Sequence, residues 1–351
     1  MHGNKGLRTR VIDPVWLCSA GAMISSVFAG HGLLAFALAV LAAEWRGWSS
    51  RRALTLGVAA GAFATLPDVD VLYALIAIDS GRFVGDGVTP EVFWDAANAV
   101  HRSMTHSLVV AAIAGPALGV WSLRGDARTA RAAALVTLAG LVAVAVVVSG
   151  SLGGIVMGAF VAGGVAIATA CRRWTDLSPE VIGASAVAGL ASHPWGDLLT
   201  GQPPQLFYPF DVEVLGGRVV LHADPTIHLL GAFAVELGVI WLAAVAVVVV
   251  TDRSWRTFYG PSAALGAAYG VAPLLFLPPT LETSYQFVFS IIAVGAVCSA
   301  VSWYHTAPAS PSNAATDGGA DRREVGFDFG AIGLTGLTIA LLGYSLVYLA
   351  A

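Results

Sequence analysis

The chain has 351 residues, 57% hydrophobic and 11% charged, with a formal net charge of −4 and a mean hydropathy of +0.76. Soluble domains carry about 25% charged residues, so a soluble globular protein is excluded and a multi-pass protein of the plasma or inner membrane is expected. The near-neutral balance lacks a basic stripe and argues against a nucleic-acid partner; the expected partners are the lipid bilayer and a small-molecule or lipid-linked substrate. Cys18, Cys171 and Cys298 form no CxxC pair and read as small buried hydrophobes.

Taken in chain order, residues 15–45 are apolar but interrupted by Gly30-His31-Gly32. Lys5, Arg8 and Arg10 precede them and Arg46, Arg51 and Arg52 follow, so both ends ask for the cytoplasm. A helical hairpin broken at Gly30-His31-Gly32 satisfies both, with arms of about 15 residues reaching only ~22 Å. Further apolar stretches of spanning length lie near 53–78, 105–123, 132–150, 152–170, 181–199, 227–250, 259–278, 285–303 and 329–350. The expectation is an all-α polytopic membrane protein with about 9–10 membrane segments.

Polar excursions punctuate this pattern. Residues 79–100 form a charged loop, and 305–328, with Pro308, Pro311, Asp317 and two glycines, read as a flexible loop. Residues 211–222 alternate Val212, Val214, then Gly216-Gly217, then Val219 and Leu221, which predicts a short extracytoplasmic β-hairpin. The organisation divides into a site-bearing unit, 1–226, and an additional C-terminal bundle, 227–351.

Arginines orient the bundle. Those at 46, 51, 52, 124, 128, 131, 172, 173, 253, 256, 322 and 323 fall on one side by alternation, against Arg82, Arg102 and Arg218 on the other. On this topology five polar islands reach the extracytoplasmic face: Gly30–Gly32, Leu66-Pro67-Asp68-Val69-Asp70, His101-Arg102-Ser103-Met104-Thr105-His106-Ser107, His193-Pro194-Trp195-Gly196-Asp197, and Phe207-Tyr208-Pro209-Phe210.

Ionisable side chains beside membrane-length apolar runs cost several kcal/mol unless they pair or bind something. His193 and Asp197, at i and i+4, share a face on a helix and can close on one cation. Asp68 and Asp70 repel one another when both are charged, which a divalent ion relieves. His101 and His106, at i and i+5, do not share an ideal helix face, so one ligand precedes the helix and Ser103 or Thr105 caps it. His31, Asp68, Asp70, His101, His106, His193 and Asp197 are therefore the candidate ligands of a divalent metal, zinc foremost, with manganese or iron as alternatives. Asp70 is the candidate general base or bridging ligand. Arg102 is the candidate anchor for a substrate anion, or else a salt-bridge partner of Asp68 or Asp70. His222 and Asp224 could support the site from behind, but a bland surface role suits them better, and His2, His228 and His305 have no nameable partner.

The order His31, Leu66-Pro67-Asp68-Val69-Asp70, His101–Ser107, Ser192-His193-Pro194-Trp195-Gly196-Asp197-Leu198-Leu199-Thr200 and Leu206–Phe210 resembles the YdjM-like family of inner-membrane metal-dependent hydrolases, also labelled LexA-binding. The resemblance covers about residues 30–222 and implies a membrane-embedded hydrolase with His and Asp metal ligands. It further implies a distant similarity to zinc-dependent phospholipase C, which makes phosphoester substrates attractive. Two features depart from the family pattern: His31 follows an extra apolar segment, and Val71 stands where many relatives carry His. The expected function is a metal-dependent hydrolase at the extracytoplasmic face. A transporter or ion-coupled carrier and a non-catalytic membrane adaptor are the rival readings.

Overall fold

A computed structural model describes residues 26–73, 102–199, 203–281, 283–306 and 321–351. Helix α1 (Ser26–Trp45) packs antiparallel to α2 (Ser50–Ala64), the reversal passing through Gly47 at φ 71°. Helix α3 (Leu108–Trp121) starts at Ser107, whose hydroxyl accepts from the amides of Val109 and Val110 and so satisfies two orphan donors of the first turn. The sequence reading placed the cap at Ser103 or Thr105.

The next helical segment, α4 (Arg128–Trp174), contains a reversal rather than a continuous rod. Gly150 sits at φ 72°, ψ −171°, a conformation that favours glycine. The two halves then fold onto one another: a Cβ at Gly154 would meet Val146 Cγ2, and Leu135, Ala139 and Val142 line one groove with Gly158, Val161 and Val165. The expected spans 132–150 and 152–170 correspond to these halves. Helix α5 (Pro179–Ser192) opens with Ser178 as cap and Pro179 in the first turn, where the missing N–H costs nothing. It crosses α3 so closely that a Cβ at Gly119 would lie 2.9 Å from Gly183 Cα; small residues let membrane helices approach in this way.

Helix α6 (Pro225–Thr251) begins at the Asp224 cap and packs on α1 through Ala243, Ala246 and Val250 against Phe36, Ala37 and Val40. Helices α7 (Ser284–Thr306) and α8 (Asp321–Ala350) close the other flank, with Phe287, Ile291, Leu341 and Tyr344 buried against Leu230, Phe233 and Leu237 of α6. The main core, around Phe63, Met104, Leu118, Leu138, Met157, Phe160 and Ile182, lies under the ends of α2, α3 and α5 that carry the polar islands. Arg52, Arg124 and Arg172 occupy the opposite end. Arg124 donates to the carbonyls of Arg172 (3.2 Å) and Thr175 (2.7 Å), and Arg52 lies 3.9 Å above the Trp48 ring.

Several expectations are corrected. Among the described residues four helices are long and apolar enough to cross a membrane (Arg128–Trp174, itself folded back at Gly150, Pro225–Thr251, Gln286–His305 and Gly326–Ala350), fewer than the nine or ten segments expected. Helices α3 and α5 have 14 residues each, about 21 Å of rise against a hydrocarbon core of about 30 Å. The stretch 53–78 leaves the α-helix at Ala64, and 261–271 winds as a 3₁₀-helix. Helix α1 runs unbroken through Gly30-His31-Gly32, so no helix break occurs there; the residues before 26 lie outside the described residues.

The β-hairpin expected at 211–222 is absent, and no strand occurs among the described residues. The backbone partners lie elsewhere: the Val219 amide donates to Leu198 O (2.7 Å) and the Leu221 amide to His228 Nδ1 (3.2 Å). The loop expected at 305–328 is helical at both ends, through Thr306 and from Asp321, while 307–320 lie outside the described residues.

Candidate metal centre

Three islands form the same local structure. Pro67–Tyr73 after α2, Met104–His106 before α3 and His193–Leu199 after α5 are 3₁₀ turns. Pro67 begins the first and Pro194 is the second residue of the third, positions where a missing N–H is tolerated. Placing these turns at converging helix ends brings together side chains far apart in sequence.

His106 and His193 have no exposed surface, and Asp70 and Asp197 are buried with them. His193 Nδ1 lies 2.6 Å from the Ala64 carbonyl, which can only accept, so Nδ1 carries the proton and Nε2 presents a lone pair. His106 Nδ1 lies 3.3 Å from Asp70 Oδ2 and 3.0 Å from the Thr105 hydroxyl. Asp70 Oδ2 also accepts from the Thr105 hydroxyl at 2.8 Å and the Arg102 amide at 3.2 Å. The two Nε2 atoms face each other at 3.0 Å.

Carboxylates complete the front. Asp197 Oδ2 lies 3.2 Å from His106 Nε2 and 3.8 Å from His193 Nε2, and Asp68 Oδ1 lies 3.4 Å from His193 Nε2. Asp197 Oδ1 is 3.6 Å from His31 Nε2 and 3.2 Å from an Arg102 guanidinium nitrogen. Two groupings could hold a metal ion, His31–His193–Asp197 and Asp68–His106–His193, each with its ligand atoms within 4.8 Å of one another. A tetrahedral cation with bonds of 2.0–2.1 Å separates its ligand atoms by about 3.3 Å, in the middle of the 3.0–3.8 Å found around His193 Nε2. Asp68 Oδ2 is buried with no hydrogen-bond partner among the described residues, as fits an oxygen waiting for a cation or water.

The profile of the YdjM inner membrane protein family matches residues 27–274, more than half of the chain. The chain belongs to this family. No curated protein and no solved structure matches it. As a YdjM-family member with long apolar helices it is a multi-pass inner-membrane protein. The match runs past residue 222 to 274, taking in α6.

Of the residues singled out in the sequence, the fold of this YdjM-family protein brings together His31, Asp68, Asp70, Arg102, His106, His193 and Asp197. His101 lies outside the described residues. Asp70 stands behind His106 rather than on the Nε2 side. Arg102 pairs with Asp197, not with Asp68, and holds φ 70°, a strained conformation for a non-glycine residue. His222 and Asp224 stay away from the centre. Asp224 caps α6, its carboxylate accepting from the Thr226 and Ile227 amides, and those bonds, Ile227's above all, hold its carboxyl below the usual range. His228, without a partner in the sequence reading, is buried and ties Leu199 O (3.0 Å) to the Leu221 amide.

Four contributors escaped the sequence reading. Thr105 orients Asp70, and the Ala64 carbonyl orients His193; no sequence signal marks a carbonyl. Gly196 gives its face to the His31 ring, where a Cβ would sit 2.1 Å from His31 Cε1. Glu236 of α6 lies over Gly30, its Oε1 2.8 Å from where a Cβ would be. As a carboxylate midway along a long apolar helix it was legible from the cost of intramembrane charge.

Proposed function

We propose that this protein is a membrane-bound metal-dependent hydrolase acting at the extracytoplasmic membrane face on a phosphoester or lipid-linked substrate. The observation that carries the reading is the pair of imidazoles, each fixed from behind at Nδ1, whose Nε2 atoms converge at 3.0 Å beside two carboxylates. Metal-binding histidines are typically held in this way, with the far nitrogen bonded to a carbonyl or carboxylate. Without a cation or a proton between them, the lone pairs would repel. The crowding of Arg46, Arg51, Arg52, Arg124, Arg172 and Arg173 at the opposite end supports an extracytoplasmic site.

In this reading Asp68, His106, His193 and Asp197 hold the ion, zinc by its fit to mixed nitrogen and oxygen donors. Such an ion lowers the pKa of a bound water to about 7 and polarises the scissile group. Asp68, with one oxygen unpartnered, takes up the proton of the attacking water. Arg102 presents its guanidinium to the substrate anion while holding Asp197, and His31 supports the other oxygen of Asp197. Asp70 acts through His106, fixing its ring, rather than as a general base.

Metal content of the purified protein and of His193→Ala, with phosphodiester hydrolysis by both, tests the proposal. Wild type is expected to retain about one equivalent or more of zinc and His193→Ala to lose it. Negligible metal in both would overturn it. A carrier reading draws on one observation, Glu236 inside the apolar α6, since intramembrane acids mark ion pathways. Metal-driven flux in proteoliposomes without a hydrolysis product would favour it.

A further inference from the structure

We propose that the strap of residues 207–221 seats in the outer leaflet of the membrane, and that the metal centre draws its substrate from that leaflet: an amphiphile with an anionic head group. The inference rests on the hydrolase reading and names its substrate class. The strap is irregular, and residues 213–218 make no backbone hydrogen bond among the described residues. A backbone with unpaired polar groups is excluded from hydrocarbon. Yet Phe210 is 64% exposed, and Val212, Val214, Val220 and Leu221 are exposed with it. Such side chains are costly to leave in water. One depth reconciles both demands: the headgroup–acyl boundary, where the backbone stays hydrated and the side chains reach apolar surroundings. Asp211 and Glu213 alternate with the apolar residues, so an extended strap turns its carboxylates to the other side.

The strap is also fastened to the centre. The Gln205 amide donates to the Arg102 carbonyl (2.9 Å), the Ser107 hydroxyl donates to Tyr208 O (2.8 Å), and the Val219 amide donates to Leu198 O (2.7 Å). Between the buried His193 and Asp197, Trp195 is 53% exposed. An aromatic side chain at the interface thus shares a turn with the ligands, and Arg102, able to hold an anion, lies beside the strap's first anchor. A lipid whose tails rest among Trp195, Phe210 and Val212 has its head group nearest Arg102.

The test has two arms in vesicles of phosphatidylethanolamine and phosphatidylglycerol. In the first, Val214→Cys, with Cys18, Cys171 and Cys298 replaced by Ala, carries an environment-sensitive fluorophore. Strong quenching by doxyl-labelled lipid and weak quenching by aqueous iodide are expected. Iodide quenching equal to that of a label at Asp126→Cys, without doxyl quenching, overturns the seating whatever the hydrolase does. In the second, Phe210→Glu is compared with wild type on a long-chain phospholipid and on bis(p-nitrophenyl) phosphate. The ratio of lipid to soluble turnover is expected to fall roughly tenfold or more. An unchanged ratio overturns delivery from the leaflet. Wild type inactive on both overturns the hydrolase reading and the substrate assignment, while the fluorophore still decides where the strap sits.

Discussion

His106 and His193 face each other through Nε2 at 3.0 Å, each held from behind, His193 by the Ala64 carbonyl at 2.6 Å and His106 by Asp70 at 3.3 Å. Because each ring is fixed on its outer edge, neither can turn away from the contact. The pair could therefore take a cation without either ring turning.

If Asp70 orients His106, replacing it should weaken metal binding without abolishing it. Asp70→Asn is expected to lower zinc affinity by about 10–100-fold, the usual effect of losing a group that orients a ligand. Competition with a chromophoric chelator measures this. An unchanged affinity would remove Asp70 from the assembly.

Arg102 holds Asp197 at 3.2 Å and is proposed to meet the substrate anion. Lysine keeps the charge but loses the planar fork. Arg102→Lys should lower kcat/KM by roughly 30-fold, about 2 kcal/mol for hydrogen bonds between charged groups, with metal content near that of wild type. Loss of the metal together with the activity would assign Arg102 to building the centre alone.

A methyl group on Gly196 would meet His31 Cε1 and Nδ1 at 2.1 Å. Gly196→Ala is therefore expected to displace His31 and destabilise the protein by about 1–3 kcal/mol, as overpacking does. A lowered thermal midpoint in detergent, with turnover reduced as in His31→Ala, is the expected pair of results. A silent substitution would mean that the ring has room to move.

Asp224 caps α6, and the Ile227 and Thr226 amides hold its carboxyl below the usual range. A depressed folded-state pKa contributes stability that is present above the unfolded value and lost as pH falls through the folded one. The thermal midpoint of wild type should exceed that of Asp224→Ala near neutrality, and the gap should narrow as pH falls below the ordinary Asp value of about 3.9. A gap that stays constant into acid would exclude the charged cap.

Much of the site was legible because charge in an apolar chain is expensive. His31, Asp68, Asp70, His106, His193 and Asp197 stood out for that reason alone, and the arginines placed them at one end. The same cost argument applies to Glu236, which hydropathy alone had absorbed into a span.

What failed was local geometry. The alternation at 211–222 reads as a hairpin only if its two arms pair with each other, and the second arm pairs with Leu198 and His228 instead. Gly30-His31-Gly32 reads as a break, yet α1 continues through it and uses the small residues for close contact with Glu236 and Thr65. His193 and Asp197 were expected on one α-helical face and lie on a 3₁₀ turn at a helix end, as Asp68, Asp70 and His106 do.

By itself the sequence determined the membrane setting, the family and which ionisable groups have to be satisfied. Composition and transfer free energy depend on residue type, not on distant partners. The tertiary structure alone decided which nitrogen of each histidine faces inward, that Asp70 stands behind His106, and that Arg102 reaches Asp197. Those roles are set by contacts across dozens of residues, with a main-chain carbonyl among the partners, and no spacing in the sequence encodes them.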